Sequence, residues 1–466
     1  MNRLGYHRLF FGFVGVVAVA ASVWTVGCSD SGGGSSATPE AGTGNPGIDG
    51  GSDAAVDSSS TPPDSGATCG KLPPAGLGQV VSPRTDGSEL GQNAALTLDK
   101  KGRPIFAYLD HPASQTSTLY VVRWNDCTGA WYPPAKVDTA IRGDVTPADR
   151  VVSIATDAAD GRIGIAYTKV VHLVTQPLVN DTVAQFVALS SDDGATFTTA
   201  RVSKHKAETN AAEGDINNVS SPAIALAGGN TFLAYNQQYQ GCGNSCQNAT
   251  VLATGAGAGY TYAVVPDTSD TEHGGTLNTR GFPVGLALDS DGKPGVVAHL
   301  EPANGYNSVA VYWRPGQVSY SAILDTNGVQ NDMGAATLAY DGKKPRVVTR
   351  IQRGAIGAAT DYTLVFSASD DGTTWAAPVA LPQTGRIAAS EKILARNGVV
   401  VVLAGGPNVI RSSNLTTFTS SDLSIAQGSA SVTGVFGGDG KLWVGVEGTS
   451  PVVPNALGGV VLYREP

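Results

Sequence analysis

A chain of 466 residues exceeds the usual span of one globular core, so it folds either as several domains or as one domain built from repeats. With 59 Gly, 26 Pro, 2 Met and 15% charged residues it is turn-rich and strand-rich, which excludes a fold of long helices and makes all-β the expected class. Part of the net charge of −9 comes from Asp30, Glu40, Asp49, Asp53, Asp57 and Asp64, unopposed by any base in residues 29–68; the mildly acidic remainder has no basic stripe, which excludes nucleic acid as a partner.

Arg3 and Arg8 precede an uncharged run from Leu9 to Val26, the pattern of a secretory leader. The run ends in Thr25-Val26-Gly27-Cys28 and so resembles a bacterial lipoprotein signal over residues 1–28, in which a small residue precedes a Cys whose thiol is diacylated. Thr25 stands where that signal usually has Leu, and a plain secretory leader or an uncleaved membrane anchor remains open beside it. The resemblance implies lipidation at Cys28 and a membrane partner held through acyl chains. Ser29 is not the Asp that resembles an inner-membrane retention signal, so the outer membrane of a bacterial envelope is the expected location. Residues 29–68 are almost entirely Ser, Gly, Asp, Ala, Thr and Pro and are expected to be a disordered tether to a folded body over 69–466.

Four further cysteines, an even number in an exported chain, read as two disulfides. The parsimonious pairing joins Cys69 to Cys127 and Cys242 to Cys246. Metal ligation by the second pair is the rival reading, but no His or further Cys lies near it.

From about Gln79 onward one element recurs: a short strand, a polar Gly turn and a second strand. Its turn glycines are Gly102, Gly161, Gly229, Gly292, Gly342, Gly398 and Gly440, spaced 42 to 68 residues apart. That period suits a four-stranded propeller blade, so seven blades are expected. A column of small residues, Ala95, Ala155, Ala225, Ala287, Ala339, Ala395 and Gly434, fits the narrow inner edge of such blades. The last copy has room for three strands, and a strand around Gln79 to Ser82 can supply the fourth.

The turns after two third strands carry a resemblance. Ser190, Asp192, Gly194, Thr196 and Phe197 match the Asp-box (BNR) pattern S-x-D-x-G-x-T-W/F of sialidase-like propellers. Asp370, Gly372, Thr374 and Trp375 match all but its first position, and residues 412–418 look like an eroded copy. The box is a folding device, in which short polar side chains satisfy the turn backbone and Gly takes positive φ. In sialidase-like proteins these boxes lie opposite the active site, so the resemblance sends any ligand to the other face. Those enzymes resemble six-bladed closures, which keeps six blades as the alternative. Their chemistry would need an arginine cluster, a Tyr with a Glu partner, and an acid. Arg84, Arg142, Arg280, Arg350, Arg353 and Arg386 are the arginines near loops of that face, but no catalytic residue is carried over by match.

Aligned on the turn glycines, Tyr108, Tyr167, Tyr235, His299 and Arg350 form one column, and Asp110, Lys169, Gln237, Glu301 and Gln352 another two residues on. Side chains two apart share a face of a strand, so these columns, with Arg280, are expected to ring one mouth of the propeller. The competing reading is that the tyrosines pack between blades and that strands turn polar as they leave the sheet. Asp289-Ser-Asp-Gly292 lacks the later ligands of a calcium loop and reads as a turn; neither a metal nor a cofactor is expected. The leading expectation is a lipid-anchored surface propeller that binds a glycan or an envelope protein without catalysis. The alternative is a sialidase-like glycoside hydrolase or lyase with an arginine-lined pocket, and a purely structural surface protein is the third.

Overall fold

Alternation at period two along the second strand of a repeat decides the architecture, because it leaves both faces of each sheet apolar. In Pro104–Asp110, Ile105, Ala107 and Leu109 pack to one side against Ile163, Ile165 and Tyr167. Phe106 and Tyr108 pack to the other against Trp443, Val460 and Leu462. A sheet buried on both faces needs a neighbour on each side, which a ring of sheets provides.

The structure is a computed structural model describing residues 69–76, 79–80, 94–110, 116–142, 152–172, 182–203, 222–238, 248–256, 259–265, 284–300, 309–325, 331–353, 362–382, 391–404, 408–423, 432–447 and 460–466. All lie in one compact unit, Ser65–Pro466. Cys28 and the proposed leader and tether, together with Cys242, Cys246, Arg280 and Glu301, lie outside the described residues.

The strands are β1 Gln79–Val80, β2 Ala95–Leu98, β3 Pro104–Asp110, β4 Thr116–Asn125, β5 Ala130–Trp131, β6 Ala135–Arg142, β7 Val152–Thr156, β8 Ile163–His172, β9 Thr182–Ser190 and β10 Thr198–Arg201. Then follow β11 Ala223–Ala227, β12 Asn230–Gln238, β13 Asn248–Ala256, β14 Gly259–Val264, β15 Gly285–Leu288, β16 Pro294–Leu300, β17 Val309–Trp313, β18 Ser321–Asp325, β19 Asn331–Asp341 and β20 Lys344–Arg353. The last are β21 Tyr362–Ala368, β22 Val379–Ala380, β23 Lys392–Arg396, β24 Val399–Ala404, β25 Asn408–Ser412, β26 Thr419–Asp422, β27 Val432–Phe436, β28 Leu442–Glu447 and β29 Val460–Arg464. Among the described residues no helix is long and apolar enough to cross a membrane.

The fold is an all-β propeller with five four-stranded antiparallel blades: β11 to β14, β15 to β18, β19 to β22, β23 to β26, and β1-β29-β28-β27. Seven separate four-stranded sheets, the expectation from the repeats, are not what forms. The strands of the first two repeats join in one nine-stranded sheet, ordered β10-β9-β8-β6-β4-β3-β2 with β5 on β4 and β7 on β8. The physical cause lies in β6, whose register against β4 shifts twice and whose Ala140 has φ of 59°. Bulges bend a strand and re-aim it, and here the end of β6 turns across to pair Ile141 with Lys169 of β8.

The core lies between neighbouring sheets, and β2, β7, β11, β15, β19, β23 and β27 each pack against the next in cyclic order. Inner-strand residues must be small: a Cβ on Gly434 would lie 2.4 Å from Leu403 Cδ1 and 2.9 Å from the Trp443 carbonyl oxygen. Strand β1 pairs with β29, Gln79 opposite Leu462 and Val80 opposite Val461, which covers the edge of the last sheet. The segment before it is tied down by the Cys69–Cys127 disulfide, by the Gly70 and Lys71 N–H groups donating to the Asp126 carbonyl, and by the Gly76 N–H donating to Arg464.

Candidate functional site

First-to-second and third-to-fourth strand turns emerge at the same end of each sheet, and that end carries the Asp boxes. Ser190 Oγ accepts the Gly194 N–H at 2.8 Å, while Asp192 Oδ1 accepts the N–H groups of Ala195 and Thr196 and its Oδ2 accepts the Thr196 hydroxyl at 2.6 Å. Burial pushes the Asp192 carboxyl up, but the hydrogen bonds from Thr196, Ser190 and Ala195 outweigh it and hold it below the usual range. Phe197 packs into the first interblade cluster.

In the second box the roles fall one residue away from the aligned pattern. Ser369 Oγ accepts the Gly372 N–H at 2.8 Å, and Asp371, not Asp370, accepts the Thr373 and Thr374 N–H groups, each at 2.7 Å. Asp370 instead faces Lys344 and Arg346, each at 3.3 Å. Two residues, not three, separate the capping Ser from its Gly here, because the first box carries an extra left-handed residue, Asp193 at φ 56°. Trp375 meets Tyr312 edge to face at 5.5 Å. The third copy keeps the same bonds through Ser412 and Asn414, with Leu415 at φ 65° where the others have Gly. Neighbouring acids are also internally engaged: Arg103 bridges Asp99, Asp126 and Asp193. Asp289 accepts the N–H groups of Asp291 and Lys293 and pairs with Arg314, so it closes a turn. A groove of about 530 Å³ opens between the second and third boxes along Phe366, Trp375 and Leu415, and its acids, Asp370 and Asp371, are those already bound.

The second strands end at the opposite mouth. There Tyr108, Tyr167 and Tyr235 lie inside the core clusters, each toward the preceding repeat. His299 shares its strand face with Val297, which packs toward the following sheet, and Arg350 pairs with Glu391 of the following sheet. The five residues therefore do not form one column on one face. His299 lies seven residues after its turn glycine where the tyrosines lie six, and a one-residue slip reverses the face. Gly342 is the first residue of its two-residue turn whereas Gly229 is the second, so Arg350 is six residues on from the first paired residue of its strand, Lys344, where Tyr235 is five on from Asn230, and it too falls on the other face. Asp110 is the last residue of its strand and Gln237 the last but one, and their side chains, like those of Gln352 and Arg353, lie outside the described residues.

What the structure does bring together at this mouth is Tyr167, Lys169 and a residue the sequence did not single out, Asp138 of β6. The Tyr167 hydroxyl donates to Asp138 Oδ2 at 2.7 Å, and Lys169 Nζ donates to both carboxylate oxygens at 2.7 and 2.9 Å. The Thr139 N–H donates to Oδ1 at 2.7 Å, and Lys169 Nζ also lies 5.4 Å above the Phe186 ring. Burial pushes the Asp138 carboxyl up, yet the bonds from Lys169, Tyr167 and Thr139 prevail and hold it below the usual range. Burial and the same carboxylate push the Tyr167 hydroxyl well up. The side chains are 13% exposed at Asp138 and 25% at Lys169, so Lys169 is the more exposed partner.

A second pair joins Arg350 Nη1 to Glu391 Oε1 at 3.6 Å, with Glu391 immediately before β23. The His299 imidazole is buried, and burial pushes its pKa down to about 3, so it is neutral. Thr168 with Gln185, and Asn236 with Thr250, add buried polar pairs toward the same end. Asp138 and Glu391 were missed because each meets its cation on a strand of another repeat, where no local pattern reports the contact.

No known protein family matches the chain, and no curated protein matches it in sequence. Among solved structures it is similar to the GH93 α-L-arabinofuranosidase of Fusarium graminearum with arabinobiose, at 11% identity and a TM-score of 0.49 over 83% of this chain and 97% of that one. It is similar to the polysaccharide lyase Uly1 at 11% identity and a TM-score of 0.45, over 84% and 91% of the two chains. It is also similar to the Trypanosoma rangeli sialidase in complex with the inhibitor DANA, at 12% identity and a TM-score of 0.42, over 72% of this chain and 56% of the sialidase.

Proposed function

We propose that this propeller acts on a glycan, as a glycoside hydrolase or a polysaccharide lyase, at the mouth opposite its Asp boxes. One observation supports this reading above the non-catalytic one. The second-strand ends hold two largely buried carboxylates with their cations, Asp138 with Lys169 and Glu391 with Arg350. Burying such pairs is costly unless something retains them, and perturbed ionisable groups gather at functional sites. Carboxylates beside Tyr and Arg are also the residue types that glycosidic cleavage uses. The arabinofuranosidase, lyase and sialidase resemble this chain in strand arrangement only. No catalytic residue is assigned; Arg280 and Glu301 belong to this mouth on sequence grounds. The test is release of reducing ends or unsaturated products from a panel of polysaccharides by the full chain. Turnover that disappears in Glu301→Gln or Arg280→Ala supports the reading, and absence of turnover across the panel overturns it.

A second reading, binding of a glycan or envelope protein without catalysis, is favoured by the locking of Tyr167 and Asp138 into one protonation state each. Saturable binding without turnover would select it.

The finer architecture belongs to the same proposal. The nine-stranded sheet reads as two blades, β2-β3-β4-β6 and β7-β8-β9-β10, joined at the single pair Ile141 and Lys169, which would make seven blades. The turns at 190–197 and 369–375 read as Asp boxes on the strength of their shared hydrogen bonds. Residues 1–28 read as a lipoprotein signal acylated at Cys28, 29–68 as its tether and the outer membrane as the site of display, with Cys242 bonded to Cys246. Cys28→Ser should release the protein from membranes; retention there would refute the anchor.

A further inference from the structure

We infer that the seam between β6 and β8 is a subsite for an uncharged sugar residue, contacted by the Lys169 ammonium, with Asp138 as the positioning residue that cancels its charge. The inference rests on reading this mouth as the glycan site. An ammonium has three donors, and two of those on Lys169 are fixed on Asp138. The third has no partner among the described residues, and the side chain is partly exposed. The donor is therefore presented on a pair with no net charge. Such a donor suits a hydroxyl or ring oxygen, whereas a carboxylate or sulfate would meet Asp138 within the same contact and lose most of the attraction.

The seam is also rigid in the way a binding contact requires. Asp138 receives four hydrogen bonds, from Tyr167, the Thr139 N–H and twice from Lys169, which occupy the lone pairs of a carboxylate. Tyr167 stacks on Phe186, over whose ring the ammonium sits. The backbone is shaped to this end: Ala140 is held at φ 59°, and bulges in β6 and near the end of β8 turn these strands together. Left-handed conformations at non-glycine residues and bulges persist where surrounding structure over-determines them, often beside functional groups.

The test measures binding by the full chain, by calorimetry at low and high salt, to neutral pentose and hexose oligosaccharides and to oligogalacturonate of matched length. Wild type should prefer the neutral ligands with little salt dependence. Asp138→Asn, which frees the charge while keeping the shape, should gain oligogalacturonate binding by roughly fivefold, the scale of one partly exposed charge pair, and the gain should vanish at high salt. Lys169→Met should weaken neutral ligands, and Lys169→Arg should restore part of the loss. A wild type that prefers oligogalacturonate, or an Asp138→Asn protein that loses neutral binding with no salt-sensitive gain, overturns the inference. Neutral binding without turnover would leave it standing while refuting the enzymatic reading.

Discussion

His299 is a source of acid sensitivity that can be removed. Its imidazole is 4% exposed, and burial brings its pKa from the ordinary 6.5 to about 3. The folded state therefore keeps His299 neutral while the unfolded chain takes up a proton below about pH 6.5, so this stability is fully present above that pH and is lost as pH falls toward about 3. Each unit in that window is worth about 1.4 kcal/mol, so roughly 2 kcal/mol should be lost between about pH 7.5 and pH 5. Asp138, Asp192 and Asp289 are held below the ordinary carboxylate range, and their contributions fade only at lower pH, so among these four groups the upper part of the window belongs to His299. Urea unfolding of wild type and His299→Phe at both pH values isolates the effect as a difference. An equal loss in both proteins, or a folded-state imidazole titrating near pH 6 by NMR, would refute the reasoning.

Replacing Arg103 by Met should cost about 3 kcal/mol, because the Asp99 carboxylate, 2% exposed, is left buried without its cation; adding Asp99→Asn should recover much of the loss. Cys69→Ser opens a bridge spanning 58 residues and should cost about 4 kcal/mol by the chain-entropy account, read as the difference in unfolding free energy. Asp371→Ala should lower the unfolding midpoint while Asp370→Ala leaves it near wild type; the reverse order would return the cap to Asp370.

The repeats were legible because their signals are local. Every turn glycine of the column has positive φ, from 64° at Gly342 to 82° at Gly229, a conformation in which a side chain is strained, so Gly marks the turn. The small column was legible for a steric reason that Gly434 makes concrete. What failed to read depends on one-residue offsets or on other sheets. Asp370 and Asp371 are adjacent acids, and only the shorter turn decides which one caps it. The Tyr108-to-Arg350 column assumed constant turn length, which the backbone does not keep. The joined first sheet depends on a bulge at Ala140, a residue type that gives no warning of left-handed backbone.

The two ends of the sheets differ in what their acids do, and this difference places function away from the more recognisable motifs. At the Asp-box end Asp192, Asp289 and Asp371 accept N–H groups of their own turns, which fixes the hairpins and leaves little acceptor capacity for a ligand. At the mouth Asp138 instead meets Lys169 of the following repeat within the joined sheet, and Glu391 meets Arg350 of the preceding sheet. A pair that joins two repeats adds little to either hairpin, so local folding does not explain its presence there. The Asp138 pair does tie β6 to a partly exposed side chain of β8, Lys169. A ligand bound by Lys169 would thereby also bear on the β6–β8 seam, making the join within the nine-stranded sheet part of the site.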